Sequence, residues 1–477
     1  VTVAVQVFDP KCSVILKKNI GRTNVAGNIA ASTRFQGTGR QIDLTPYLGE
    51  TGSVVVSKSV RRADGMFSVT LADNLSPGEQ ESLYGIIEPM DVIEIRMARD
   101  TSIYAGAFTN NMPIMMRGFV SQIDRDEVFD GDRPVRRVIV TGQDYGKILL
   151  LNQIAYLPNE VTGQNLLTYF KFFVNYGLEA NPNQDASQFV SEVNTKVILQ
   201  FLAAMRLAAS GGAGPGGAAV AQSPIMDIKC SVGTDAIVQD GQISPFGTNE
   251  WPGGTVYDLL AYYGDVGPWN ELFIEDQEDA PHLIYRPNPF KDTSGNYIQP
   301  PYPTNAPALN IIDDSALVAL KSSRSDGGVY NYFWTDNHSY FMVQSAILQA
   351  GAAFANPANI FLSGYPNSDP KLYGFRRLQT QSQQGARFDG QGETVFDQGR
   401  AVALPFIAAK REVVLESNKD NVVFETGQMK LRGTETIKAG TYLRLIRGAS
   451  VVGGTLGGGL KSEVYAHTVQ HEFVPYR

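Results

Sequence analysis

Between about Gly52 and Asp144 the chain alternates apolar and polar residues with a period of two. FSVTLAD places Phe67, Val69 and Leu71 on one face and Ser68 and Thr70 on the other. DVIEIRM sets Ile93, Ile95 and Met97 against Val92, Glu94 and Arg96. Such alternation predicts strands with one buried face. Two longer runs, MMRGFVSQIDRDE and RPVRRVIVTGQDY, are joined by VFDGD, where Asp130-Gly131 is a hairpin turn signal. These strands predict a first β-barrel or sandwich domain over 41–150. The segment 1–40, rich in Gly, Asn and Thr, is not placed by the pattern.

After Tyr145 the period changes. GQNLLTYFKFFVNYGL puts Leu166, Tyr169, Phe170 and Phe173 on one stripe, and SEVNTKVILQFLAAMRLAA has similar helical spacing. A helical domain is predicted over 151–245, carrying a flexible Gly/Ala loop at 210–222. A helix-bearing WPGG stretch and a Pro-rich crossing occupy 246–305, with Pro281, Pro287, Pro289, Pro300, Pro301, Pro303 and Pro307 in or beside the crossing. The segment 306–395 reads as mixed α/β: VYNYFWTDN, a helical SYFMVQSAILQAGAAFAN and the loop around YPNSDPKLYGFRRL. Beyond about Val395 the strands are expected to return, with TYLRLIRG and EVYAHTVQHEF, as a second β-domain over 396–477. The expected fold class is therefore a β-rich α+β chain with β-domains at both ends.

Composition narrows the functions this pattern can serve. A chain of 477 residues suggests about three domains. Only 18% of residues are charged while Tyr and Phe are abundant, which points to surface committed to subunit contacts. A net charge of −8 argues against a sequence-reading DNA binder, since phosphate recognition needs a basic footprint. An acidic wall that lets DNA pass remains compatible with it. Cys12 and Cys230 form neither a disulfide framework nor a metal knuckle. No apolar run reaches the ~20 residues of a membrane span. The opening VTVAVQVFDPKC has no basic leader or long apolar core, so export by a signal peptide is not expected.

Four stretches carry candidate chemistry. HTVQHE spaces His467 and His471 as a zinc pair on a helix would, but Thr468 stands where the zincin glutamate belongs. Tyr465, Val469 and Phe473 alternate with them as in a strand, where four residues span about 13 Å and two imidazoles cannot share one ion. GGTLGGGLKS approaches a phosphate loop, yet Leu460 separates Gly459 from Lys461 and a strand rather than a helix follows. A glycine-rich hairpin accounts for it. IDRDEVFDGD lacks the spacing of a calcium loop and reads as a solvated hairpin tip. No G-x-S-x-G elbow occurs, and the four histidines, His282, His338, His467 and His471, reveal no evident triad. No cofactor and no metal site are expected.

The fourth place is FGTNEWPGGTVYDLLAYYGDVGPWNELFIED, which holds Trp251, Trp269 and several acids. A sugar-cleaving cleft would need two carboxyls about 5–10 Å apart. Each acid also has a structural task available. Trp251, Pro252, Gly253 and Gly254 form a turn, and Thr255 with Asp258 makes a capping box. Val256, Leu259, Leu260 and Tyr263 then share a helix face, and Gly264 ends the helix as a C′ glycine. Asp265 sits in the turn, while Pro268, Trp269, Asn270 and Glu271 open a second short helix whose dipole favours the glutamate. This reading makes the stretch a structural motif with its tryptophans buried against neighbouring surface.

The same residues carry a resemblance. WPGGTVYDLLAYYGDVGPWNELFIED followed by PHLIYRPNPF resembles a block of the baseplate hub (tail hub) proteins of tailed bacteriophages. KSVRRADGMFSVTLAD and IIEPMDVIEIRM are similar to that family's first barrel, and MRGFVSQIDRDE with RRVIVTGQDYGKIL to its next hairpin and exit strand. SDGGVYNYFWTDN, YGFRRL and YAHTVQHEF are similar to its second half. The resemblance spans roughly Ile42 to Phe473 and includes no catalytic signature. It implies a non-enzymatic virion protein of the tail tip or baseplate, assembled in the bacterial cytoplasm. Each chain would give two β-barrel-like tube domains, and a homotrimer would join the sixfold tail tube to a threefold spike or central fibre. Partners implied are a tail tube or distal tail protein above, a spike or fibre below, baseplate wedge or peripheral hub proteins, tape-measure protein in the lumen, and passing DNA bound without sequence preference. The competing classes are a tail-associated enzyme degrading peptidoglycan or glycan, and the spike-base protein of a contractile secretion system.

Overall fold

The computed structural model describes residues 8–19, 41–49, 52–73, 82–104, 112–130, 133–154, 184–209, 223–232, 241–243, 254–299, 306–337, 363–385, 395–447, 450–452, 455–457 and 460–475. The expected helices at 163–178 and 339–356 and the 210–222 loop lie outside them, as do Trp251, Pro252 and Gly253.

Seven strands from the first part of the chain build one antiparallel sheet. They are β1 (Lys11–Lys17), β2 (Gln41–Asp43), β3 (Ser53–Ser59), β4 (Met66–Ala72), β5 (Val92–Ala98), β6 (Ile114–Asp130) and β7 (Arg133–Asp144). The eighth is the last strand of the chain, Thr468–Phe473, which pairs with β3 from Thr468↔Ser59 to Phe473↔Val54. The order is β2-β1-β5-β6-β7-β4-β3 and then that C-terminal strand. Within the described residues this sheet has two edges and does not close into a barrel. Alternation accounts for its inner face: Phe67, Val69 and Leu71 pack with Ile93, Ile95, Val54 and Val138. The β6–β7 hairpin runs to the pair Asp130↔Arg133, and Val128 and Phe129 near its tip are exposed.

The second face of the sheet does not stay polar and solvated. Val92 and Phe119 join a second core with Tyr145, Phe189, Leu202, Val256, Leu259, Leu260, Leu272 and Tyr285. The helical run here begins at Ala186, passes through a π segment at Asn194–Ile198 and ends at Ala209. Beside it lies a three-stranded sheet in which Pro281–Pro287 is central, antiparallel to Asn270–Asp276 and parallel to Lys229–Val232. This part of the Pro-rich crossing is thus a buried strand. Its prolines stand at the two ends, pairing with Asp276 and Asn270, where a missing N–H interrupts no interior rung.

The region after Val395 also departs from expectation. It opens with a 24-residue helix, Val395–Asn418, before any strand. Ile407, Lys410, Arg411 and Val414 are all buried at helical spacing. Two cations on the inward stripe obscure the apolar periodicity that marks a helix. The strands follow later: Tyr442–Arg447 pairs antiparallel with Leu460–Tyr465 and parallel with Leu309–Asp313. Altogether the chain is α+β and β-rich.

Candidate functional site: a buried ionic clasp

The helix Val256–Tyr263 begins where Thr255 turns the chain out of extended geometry. Thr255 Oγ1 accepts from the Asp258 amide at 3.2 Å, and Asp258 Oδ2 accepts from the Thr255 amide at 2.8 Å, so both halves of a capping box are present. Gly254 is required by this arrangement. Its φ is +150°, and a Cβ there would stand 2.8 Å from Asp258 Oδ2. At the other end Gly264 keeps φ −79°, and Asp265 takes the left-handed position at φ 50°. The helix end is tied by Asn270, whose Nδ2 donates to the Gly264 carbonyl at 2.8 Å and to Tyr285 Oη at 3.1 Å.

Glu271 is not in a helix. It lies in the strand Asn270–Asp276, five of whose first residues are buried. A backbone that turns back at Val266–Asn270 feeds directly into the strand, leaving no room for a second helical turn. Glu271 instead accepts from Arg286 Nε at 2.5 Å and from Tyr465 Oη at 2.7 and 2.8 Å. Burial pushes its carboxyl up, while Arg286 and Tyr465 pull it back down. Arg286 reaches on to the Gly440 carbonyl at 2.8 Å. Gly440 has φ +80°, and a Cβ there would lie 2.8 Å from Arg286 Nη2, so both conformation and space call for glycine.

Asp265 is held equally firmly. Lys410 Nζ donates to its Oδ2 at 2.9 Å, Ser382 Oγ at 2.5 Å, and the Gln383 amide to Oδ1 at 2.7 Å. Lys410 also sits over the Trp269 ring at 5.0 Å. Trp269 is fully buried against Phe333, Val413, Val414 and Leu415, and its Nε1 donates to the Lys410 carbonyl at 2.8 Å.

The far end of the strand fastens the large sheet. Lys58 of β3 donates to Asp276 Oδ2 at 2.6 Å and to Asp144 Oδ2 of β7 at 2.9 Å. The Arg117 amide donates to Asp276 Oδ2 at 3.1 Å, and the Arg117 guanidinium reaches the Glu278 carbonyl at 2.8 Å. Glu278 accepts from Arg96 at 2.9 Å and from the Ile114 amide at 2.8 Å. Residues 254–287 therefore touch the eight-stranded sheet, the long helix and the C-terminal strands through hydrogen-bonded charges that are mostly buried. Chemically, this arrangement binds parts of one chain together. The three acids weighed as a cleft point to different places: Asp258 to a helix cap, Asp265 to the long helix, Glu271 to Arg286 and Tyr465.

The histidine pair is separated as a strand requires. His471 Nε2 contacts the Ile437 carbonyl at 2.9 Å, and His467 packs against Phe290 and Tyr465. Among the described residues no group of three His, Cys, Asp or Glu could hold a metal ion, and no helix is long and apolar enough to cross a membrane. Cys12 and Cys230 are unpaired thiols, each pushed up to about 12 by burial. The sequence pattern did not reveal Lys58, Asp144, Asp276, Arg286 or Lys410. A lone lysine at a polar strand position or on a helix carries no local sign that its partner lies two hundred residues away.

No family model and no curated protein matches the sequence. Among solved structures, the chain is similar to the 43 kDa tail protein of prophage MuSo2 from Shewanella oneidensis. The TM-score is 0.43 at 13% identity, covering 98% of this chain and 95% of the other. It is also similar to a tail protein from Neisseria meningitidis MC58, with a TM-score of 0.42 at 9% identity, covering 98% and 93%. Likenesses this loose fix neither fold nor function.

Proposed function

We propose that the protein is a structural component of a phage tail, a baseplate hub whose three copies form a ring. In this reading each copy contributes two β-barrel-like tube domains, one built around the first sheet and one around the strands Tyr442–Arg447 and Leu460–Tyr465. The ring joins the sixfold tail tube to a threefold spike or central fibre, and its lumen passes tape-measure protein and then DNA. The net charge of −8 suits a wall that does not grip phosphate.

Two kinds of support stand behind the proposal. One is the number and order of sequence blocks resembling hub proteins. The other is the use of the tryptophan- and acid-rich stretch. Asp265 and Glu271 are buried and ion-paired, and Asp258 is committed to a cap, so the stretch acts as a clasp. That observation carries the choice of a structural role over a glycan hydrolase, because a hydrolase needs an acid and a base facing one open cleft.

The test is an image of the purified protein by negative-stain electron microscopy. A threefold ring with a central hole about the width of a DNA duplex is expected. Isolated single chains that cleave peptidoglycan, with cleavage lost on Glu271→Gln in a folded protein, would overturn the reading.

A further inference from the structure

We propose that Lys58, Asp144 and Asp276 form a proton-operated joint, in which the buried Asp144 takes up a proton beside the Asp276 carboxylate and thereby tightens the strand Asn270–Asp276 onto the eight-stranded sheet. The inference rests on the joint alone and is independent of the tail reading.

The geometry is that of two acids on one base. Both Oδ2 atoms contact the same Lys58 nitrogen, at 2.9 and 2.6 Å, and both carboxylates are buried. With all three groups ionised the cluster holds a net negative charge away from water. Asp144 has a further donor, the Gly146 amide at 2.8 Å on Oδ1. Asp276 Oδ1 is buried and accepts no hydrogen bond among the described residues. One added proton leaves a neutral ion pair beside a neutral acid, which a low-dielectric site favours. Burial pushes the Asp144 carboxyl up to about 6; Lys58 opposes this, and the Asp276 charge adds to it. Lys58 stays cationic: burial alone would lower it, but the two carboxylates outweigh burial and raise it.

Other charges face the cluster from each packed element. From β6, Arg117 directs its guanidinium to the Gln277 and Glu278 carbonyls and Glu94, and offers Asp276 only its amide. Beside β3, Asp64 accepts from Gln143 and pairs with Arg62. Lys438 donates to the Asp276 carbonyl at 3.1 Å and pairs with Glu275 at 3.3 Å. From the C-terminal strand, His471 lines the same small apolar cavity as Lys58 and Asp276, and burial lowers its proton affinity. Tyr145, next to Asp144, is pushed up by burial and stays neutral. None of these groups supplies a second cation to the two carboxylates.

Asp144 binds its proton more tightly when the joint is closed than when it is open and solvated. Closing is therefore favoured as pH falls through about 6, and the gain is complete once pH drops below the ordinary carboxylate value of 3.8. Between pH 7.5 and 4.5 the opening equilibrium should fall about 30-fold.

The experiment is hydrogen exchange on the full chain, following peptides over Asn270–Asp276 and Ser53–Ser59 and correcting for the intrinsic pH dependence of exchange. Measured against Asp144→Asn, which shares every other titration including that of His467, wild type should gain about 30-fold protection on acidification. Asp144→Asn, which mimics the protonated acid, should be well protected at pH 7.5 and lose that gain. Asp276→Asn removes the neighbouring charge, so the midpoint of the pH profile should move down towards 3.8. If Asp144→Asn does not fold, the Asp276→Asn midpoint alone decides. A wild-type profile copied by Asp144→Asn, or an unmoved midpoint in Asp276→Asn, would each overturn the proposal.

Discussion

Replacing Trp269 by alanine should loosen the contact between the clasp and the long helix more than any other single truncation in the stretch. The indole is fully buried, among Phe333, Val413, Val414 and Leu415. Burial of a tryptophan removes about 150–250 Å² from water, and at ~25 cal/mol/Å² this sets an upper bound near 4–6 kcal/mol. A denatured chain that already hides part of this area lowers the figure, and large-to-small replacements at such sites cost about 3–5 kcal/mol. The lost donor to the Lys410 carbonyl at 2.8 Å adds about 1 kcal/mol. We expect about 4 kcal/mol for Trp269→Ala. Trp269→Phe keeps most of the apolar contact and loses the N–H, so about 1–2 kcal/mol is expected. Hydrogen exchange of peptides covering Val413–Leu415 reads this directly: about a thousandfold faster for the alanine variant, and about 5–30-fold faster for phenylalanine. Less than tenfold for alanine would refute the placement of Trp269 as the anchor.

Three further predictions concern neighbouring groups. Glu271→Gln leaves Arg286 buried without its carboxylate and should cost about 3–5 kcal/mol in urea unfolding, with Tyr465 retaining only a neutral partner. Thr255→Ala removes one half of the capping box and should cost about 1 kcal/mol, measured the same way, with no change elsewhere in the exchange profile. His467 is held down to about 4 by burial and by Arg61, below its ordinary 6.5. Its stabilising contribution is therefore present above pH 6.5 and is lost as pH falls towards 4, by about 2 kcal/mol after screening of a partly exposed ring. A pH series of thermal unfolding should show this slope in wild type and a flatter one in His467→Gln; parallel curves would contradict it.

Local pattern made much of the first sheet legible. Phe67, Val69 and Leu71 alternate because one side of β4 is core, and Thr255 with Asp258 reveals a helix start within four residues. What stayed hidden was set by contacts distant in sequence. β5 alternates in sequence, yet Arg96 is buried too, because Glu278 and the Met112 carbonyl satisfy it from elsewhere. Glu271 follows a proline and a tryptophan as a helix start would, but Arg286 and Tyr465 draw it into a strand. Lys410 and Arg411 interrupt the apolar stripe of the long helix, and the carboxylate that lets Lys410 be buried, Asp265, lies far outside the window. β1 carries no local mark of its place, and the strand Thr468–Phe473 pairs away from its sequence neighbours; both lie in the first sheet through pairings that no local period encodes.

The central claim, a structural hub working as a ring of three, is tested most directly by the molar mass of the purified chain in solution, measured by light scattering across a concentration series. The account predicts a mass three times that of the chain, constant on dilution through the micromolar range. A single-chain mass at every concentration would contradict it.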